Sequence, residues 1–188
     1  MTAGSAEEPG LFFSFFEGPE ALRAKAAALE LDLEGRLNNG AEIIWNPPYA
    51  GILDAMTARV LENVRRRGVR RLFIDGLGGV EQMAFIPERV IPVVAAFLDA
   101  LRQLGVTTMY TWEMTDLLGE DLRPPQRNIS EISHNFLLLR YSETNGVLER
   151  RISVLKMRAN AFDPAVHRFS IGRGGISVGP PAATAAAS

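Results

Sequence analysis

The sequence predicts an α/β fold, a mostly parallel sheet flanked by helices, with antiparallel strands added at its C-terminal end. Three observations carry that expectation. Short apolar runs alternate with helical patterns, the strand–helix units recurring roughly thirty residues apart. The two clearest helical patterns each close on a glycine. After about Asn135 the rhythm changes to paired apolar runs around tight-turn residues. Repeated strand–helix units imply right-handed crossovers and a parallel sheet covered on both faces, whereas runs joined by a tight turn pair antiparallel.

The first run is Leu11-Phe12-Phe13-Ser14-Phe15-Phe16. Gly18-Pro19-Glu20 then starts a helix, with Pro19 at the first helical position and Glu20 near the positive end of the dipole. Glu42-Ile43-Ile44-Trp45 is the second strand. Trp45 and the following Pro47-Pro48 suit packing at a strand end and the approach to a helix. Leu53, Met56, Val60 and Val64 recur at helical spacing, and Gly68 caps their last turn. Leu72-Phe73-Ile74 is the third strand. Val90, Val94, Phe97, Leu101 and Leu104 repeat the helical pattern up to Gly105, with Pro92 expected to start or kink that helix. The fourth strand, Val106-Thr107-Thr108-Met109-Tyr110-Thr111, is rich in β-branched and aromatic residues. Phe136–Tyr141 and Leu148–Met157 flank the turn Thr144-Asn145-Gly146, and Val166–Ile171 and Ile176–Val178 flank Gly172-Arg173-Gly174-Gly175. No internal repeat of solenoid type occurs.

Composition narrows the function. At 188 residues the chain suits one domain, and its 47% apolar and 22% charged fractions are those of a globular protein. A net charge of −2 disfavours general nucleic-acid binding. Without cysteine there is no disulfide, thiolate metal site or cysteine nucleophile, and the two histidines, His134 and His167, fit no zinc spacing. The polar, acidic first residues do not resemble a signal peptide, and no apolar run reaches membrane-spanning length. The expectation is a soluble cytoplasmic protein. Residues 1–10 and 179–188, small, polar or proline-containing, are expected to be poorly ordered flanks of a domain at 11–178.

Four residues could carry chemistry. Asp75 ends an apolar strand, where an acidic group can hold magnesium through water, because ligands gather beyond the carboxyl ends of parallel strands. Alone, the pattern reads more simply as a strand followed by a turn-forming Asp-Gly. Glu17 follows the phenylalanine-rich strand and could orient an attacking water, or merely complement the dipole of the next helix. Lys156 and Arg158 alternate on one strand and share a face. Two such cations could clasp a phosphate, including one on a neighbouring subunit, or simply protect an edge strand from aggregation. The basic run Arg65–Arg71 sits at a helix C-terminus, where cations offset the dipole, and needs no nucleic acid to explain it. His134 could sense a phosphate but also suits a hydrogen-bonded loop, and Thr111 and Glu113 close the fourth strand on the ligand side.

Taken in order, Phe13-Ser14-Phe15-Phe16-Glu17-Gly18-Pro19-Glu20, Arg70-Arg71-Leu72-Phe73-Ile74-Asp75-Gly76-Leu77, Asn135–Tyr141 and Ile152-Ser153-Val154-Leu155-Lys156-Met157-Arg158 resemble the KaiC family of the RecA superfamily. Phe162-Asp163, Phe169-Ser170-Ile171 and Gly175–Gly179 continue the likeness, which covers about residues 10 to 180. The resemblance implies a RecA-like domain that hydrolyses Mg-ATP between subunits of a ring, commonly a hexamer. Its partners would be copies of itself or other KaiC-like subunits. By the same resemblance Asp75 is the Walker B aspartate assisting magnesium, Glu17 an acid near the lytic water, and Lys156 and Arg158 reach the γ-phosphate of the adjacent protomer.

The chain departs from the family in informative places. Phe16 stands where the family has the first of two tandem acids, Gly76 where serine is frequent, and His134 where an aspartate precedes the asparagine. Phenylalanine cannot polarise water, so hydrolysis is expected to suffer. A phosphate loop needs a glycine-rich turn with Gly-Lys-Ser or Gly-Lys-Thr. The two lysines, Lys25 and Lys156, follow Ala24 and Leu155, so neither belongs to one. The expectation is a KaiC-like ATPase domain truncated ahead of its first strand and inactive alone. The alternative is a non-hydrolysing regulatory or interaction module that retains the ring-forming surface. A basic-patch nucleic-acid binder is the least supported reading.

Overall fold

The computed structural model describes residues 5, 7–49, 51–114, 129–144 and 146–181. They form two compact units that divide between Glu113 and Met114.

The first unit is a four-stranded parallel sheet with helices on both faces. Its strands are β1 (Gly10–Ser14), β2 (Ala41–Trp45), β3 (Arg71–Asp75) and β4 (Thr107–Tyr110), in the spatial order β2-β1-β3-β4. The register aligns Leu11 with Leu72, Phe13 with Ile74 and Ser14 with Asp75. Leu11, Phe13, Leu72 and Ile74 therefore share one buried face, each at most 3% exposed. On the other face Phe12 stacks on Phe73 with ring centroids 5.2 Å apart. Burying a side chain of this size contributes about 1.5–3 kcal/mol.

The helices follow their sequence signals. α1 (Pro19–Ala28) starts on Pro19, with Glu20 in its first turn and Lys25 in its last. α3 (Leu53–Arg67) buries Leu53, Met56, Val60 and Val64 and ends on Gly68, whose φ of 63° is left-handed. α5 (Val90–Gln103) buries Val90, Val94, Phe97 and Leu101. Pro92 falls in its first turn, where a missing N–H breaks no helical bond, so the helix begins before the proline and continues through it. Between α1 and β2 lies a short helix, α2 (Leu33–Asn38), capped by the Asp32 side chain and burying none of its residues. Two 3₁₀ turns, Leu77–Gly79 and Pro87–Arg89, bracket α4 (Val80–Met83). α1 and α2 touch each other and β2, while α3 packs on α5. Right-handed crossovers place the first pair on one face of the sheet and the second pair on the other.

The second unit is antiparallel. A short helix α6 (Ile129–Ile132) leads into β5 (Asn135–Thr144), β6 (Val147–Met157), β7 (His167–Gly172) and β8 (Gly175–Pro181), each paired with the next. Both predicted hairpins are present. Gly146, with φ 74°, lies in the first turn, and Gly174 and Gly175, with φ 81° and 107°, in the second. Asn145 lies outside the described residues. The β5–β6 ladder is long and shifts register between Phe136 and Leu137. The β6–β7 ladder has two registered pairs, Arg151 with Arg168 and Ile152 with His167. The fold class read from the sequence, a parallel α/β sheet with antiparallel strands after it, is the one found. No helix among the described residues is long and apolar enough to cross a membrane.

Candidate functional site

From β1 the chain goes out to β2 on one side, then returns across β1 to β3 on the other. That reversal falls between β1 and β3, beyond whose carboxyl ends open parallel sheets hold ligands in a crevice. Ser14 and Asp75 end these two strands, side by side in register. The Phe15 N–H donates to the Asp75 carbonyl at 3.2 Å and continues the ladder one residue further.

Two hydroxyls organise these strand ends. Ser14, fully buried, accepts the Glu17 N–H on its Oγ at 3.0 Å, so the turn after β1 is fixed from its own strand. Thr111, just past β4, donates from Oγ1 to Asp75 Oδ1 at 3.0 Å and accepts the Gly76 N–H at 2.7 Å. Its backbone is also tied to β3, its N–H to the Ile74 carbonyl at 3.0 Å and its carbonyl to the Leu77 N–H at 2.8 Å. Thr111 thereby sets both the direction of the Asp75 carboxylate and the turn that follows it. Glu17 is nearby in sequence, but its carboxylate is ion-paired with Lys25.

Aromatic rings crowd the same turn. Gly76 has a φ of 75°, and a Cβ placed on it would lie 2.5 Å from Phe16 Cδ2. The glycine is therefore needed twice, for its left-handed backbone and for the ring above it. Phe16 remains 50% exposed, with one face on Gly76 and the rest open. Buried Phe15 lies against Gly79, where a Cβ would be 2.8 Å from its Cγ, and the Trp112 indole lies against Gly78, at 3.1 Å by the same construction. The two departures at 16 and 76 are thus one packing arrangement.

Lys156 and Arg158 belong to the second unit, and both lie against the segment 130–134. Lys156 Nζ donates to the carbonyls of Ser130 and Ser133, the latter at 3.0 Å, and to Ser130 Oγ at 3.4 Å. All three of its protons are accounted for. The Arg158 N–H donates to the His134 carbonyl at 3.1 Å, and its guanidinium reaches the Glu131 carbonyl at 3.4 Å. β6 ends at Met157, so Arg158 lies in the turn after the strand and the expected alternation on one strand face does not reach it; the two side chains instead meet the same segment. His134 is exposed and takes part through its carbonyl.

The basic run is largely used internally. Arg66 donates to Asn63, Arg67 pairs with Glu42, Arg70 reaches the Leu104 carbonyl and Arg71 pairs with Glu8.

The donor set defines what this position can hold. Asp75 offers one carboxylate, enough to hold a magnesium ion through its water shell. Among the described residues no group of three or more His, Asp or Glu could hold a bare metal ion. The glycine-rich turns Gly76–Gly79 and Gly172–Gly175 contain no lysine. The residues therefore fit a hydrated cation and do not by themselves fit a triphosphate. The strand-end position of Asp75 is legible in the sequence, whereas the contacts of Ser14 and Thr111 depend on strand register.

Comparison with known proteins agrees over nearly the whole chain. A family model described as "ATPase: KaiC" matches residues 1–183. The circadian clock protein KaiC3 of Synechocystis sp. is 26% identical over 183 residues, covering 96% of this chain and 36% of that protein. The circadian clock oscillator protein KaiC of Parathermosynechococcus lividus is 28% identical over 184 residues, covering 93% and 34%. The KaiC of Synechococcus elongatus is 25% identical over 183 residues, covering 93% and 35%. The chain spans about a third of the length of these curated relatives.

Proposed function

The chain belongs to the KaiC family of ATPases, and from that we propose that it is the part of a RecA-like ATPase domain that follows the phosphate loop. Residues 11–178 form the body of this domain, and the expected flanks, 1–10 and 179–188, are shorter than the sequence suggested, because β1 begins at Gly10 and β8 runs to Pro181. Asp75 serves as the Walker B residue that holds the magnesium of Mg-ATP through water. Glu17 lies near the lytic water. Lys156 and Arg158 act in trans, on the γ-phosphate held by a neighbouring protomer of a ring, whose members are copies of this chain or other KaiC-like subunits.

One observation supports this reading above the others. Asp75 ends a strand at the topological reversal of the sheet, in register with Ser14 and oriented by Thr111. A carboxylate held in that direction by a neighbouring strand suits coordination better than it suits a turn. A second reading, a non-hydrolysing interaction or regulatory module, draws on Phe16, which places a ring over Gly76 where the family has an acid. Both readings expect no hydrolysis by the 188 residues alone, which contain no Gly-Lys-Ser or Gly-Lys-Thr.

The trans assignment has a direct test in a longer chain carrying a phosphate loop ahead of Leu11. Arg158→Ala should depress ATP hydrolysis on the order of 10³-fold, with little change in nucleotide affinity, because such a cation neutralises charge that develops in the transition state. Mixing Arg158→Ala with Glu17→Gln protomers should restore part of the activity, since some interfaces then pair an intact Glu17 with an intact Arg158. No recovery in rings shown to contain both variants would defeat the assignment. No hydrolysis by the unmutated longer chain would favour the second reading.

A further inference from the structure

One histidine that the nucleotide reading does not use joins two segments of the C-terminal unit. His167 opens β7, and its ring lies between two acceptors. Nδ1 is 2.9 Å from the Gly179 carbonyl oxygen and Nε2 is 3.0 Å from Asp163 Oδ2. A carbonyl oxygen and an ionised carboxylate can only accept. A neutral imidazole has one N–H, so it satisfies one acceptor and turns a lone pair toward the other, whereas an imidazolium donates to both. Asp163 is itself fixed, because its Oδ1 accepts the Ala165 N–H at 2.8 Å.

The position in the sheet gives this contact leverage. The β6–β7 ladder has two registered pairs, and one of them is Ile152 with His167. The β7–β8 ladder shifts register between His167 and Phe169, and His167 itself stands opposite Pro181. Pro180 and Pro181 have no N–H, so this end of β8 donates nothing to its neighbour. The His167 ring supplies a donor where the backbone of β8 supplies none.

We propose that His167 is a proton-operated latch: as imidazolium it fastens the end of β8 and the 158–166 loop to β7, and as neutral imidazole it releases one of them. The latch stands on its own and does not depend on the nucleotide reading.

The charged surroundings are simple. On β6, Arg150 shares the face of Ile152, two residues along from the site. Arg151 and Arg168 face the opposite side of the sheet and are tied there to Glu149. The loop contributes Asp163, and its other charged residue, Arg158, is engaged with the Glu131 carbonyl. β8 has no titratable side chain. The Gly179 carbonyl first, and Asp163 second, raise the pKa of His167 above that of an ordinary histidine. The Ala165 N–H first, and His167 second, lower that of Asp163. A raised folded-state pKa means that the histidine's contribution is complete below its unfolded value, about 6.5, and is lost as pH rises through the folded value. The lowered Asp163 works in the other direction, its contribution being lost only as pH falls below the ordinary carboxylate range. The latch is therefore shut below the ordinary histidine pKa and opens as pH rises through the raised folded value.

The test is an NMR titration of the His167 ring in the full chain, with amide-exchange protection factors for Phe169, Ser170, Ser177 and Val178 at pH 5.5 and 8.5. The expected result is a His167 midpoint above that of an ordinary histidine and a several-fold loss of hairpin protection at the higher pH. Asp163→Asn should lower the midpoint, and His167→Gln should make hairpin protection independent of pH. A midpoint at or below the ordinary value, or equal protection at both pH values in the unmutated chain, would overturn the proposal. So would a pH-dependent loss that persists in His167→Gln. The titration and exchange of the unmutated chain decide the matter even if a variant fails to fold.

Discussion

Gly76 and Phe16 show how one side chain constrains another across strands. Alanine at 76 must adopt a φ of 75° and place its Cβ 2.5 Å from the Phe16 ring. Gly76→Ala should therefore cost about 1–3 kcal/mol, part from the left-handed backbone and part from displacing the ring. In a Phe16→Ala background only the backbone part remains, about 1 kcal/mol. Equal costs in the two backgrounds, measured by denaturant unfolding, would show that the ring does not press on residue 76. At this scale the sequence was only partly legible. Asp75 could be singled out because a strand-ending acid is a local pattern. Thr111 could not be assigned its bond to Asp75, because that bond spans 36 positions and exists only once β4 lies beside β3. Likewise, Phe16 and Gly76 read as two separate departures from the family pattern until the turn brought them together.

Elements with a strong period were readable, and those without one were not. α3 and α5 bury residues at helical spacing and end near left-handed glycines, Gly68 and Gly105, so periodicity and caps agreed. α2 buries nothing, and its signal reduces to the Asp32 cap, which accepts the Gly35 N–H at 2.9 Å. An apolar pattern cannot reveal a helix that has no apolar face. The turns between β3 and α5 escaped for a different reason, since their shape follows from Phe15 and Trp112 seated on Gly79 and Gly78. Lys156 connects elements in the second unit, holding the end of α6 by two carbonyls. Lys156→Met should free the segment 130–134 by about 1 kcal/mol, the scale of a partly exposed charged hydrogen bond. Amide exchange in that segment should rise about fivefold, as that energy implies, while β7 and β8 stay unchanged. Unaltered exchange at 130–134 would mean that the lysine is not what fixes the segment.

At the scale of the molecule, the order of motifs carried more information than any motif alone. An apolar strand with a final acid, or a Lys-Met-Arg step, occurs in many folds. The sequence of four such pieces pointed to one family, and the family match over residues 1–183 agrees. The parallel-then-antiparallel order was legible because connection length differs between the two. Helix-length crossovers force parallel pairing, and short glycine turns force antiparallel pairing. Division into two compact units was not legible, because it depends on contacts and no composition shift marks Glu113–Met114.

On the proposed function, these 188 residues carry the magnesium side of a nucleotide site without the cradle for its phosphates. Titration calorimetry of the chain with Mg-ATP tests it most directly. Backbone amides and a lysine supply most phosphate contacts in this class of site, whereas in the proposed role Asp75 would touch only the water shell of the magnesium. Binding should be too weak to reach a micromolar dissociation constant, with no measurable change in Asp75→Asn. A micromolar or tighter constant, lost in Asp75→Asn, would show that the chain holds the phosphates with residues other than a phosphate loop and would overturn that reading.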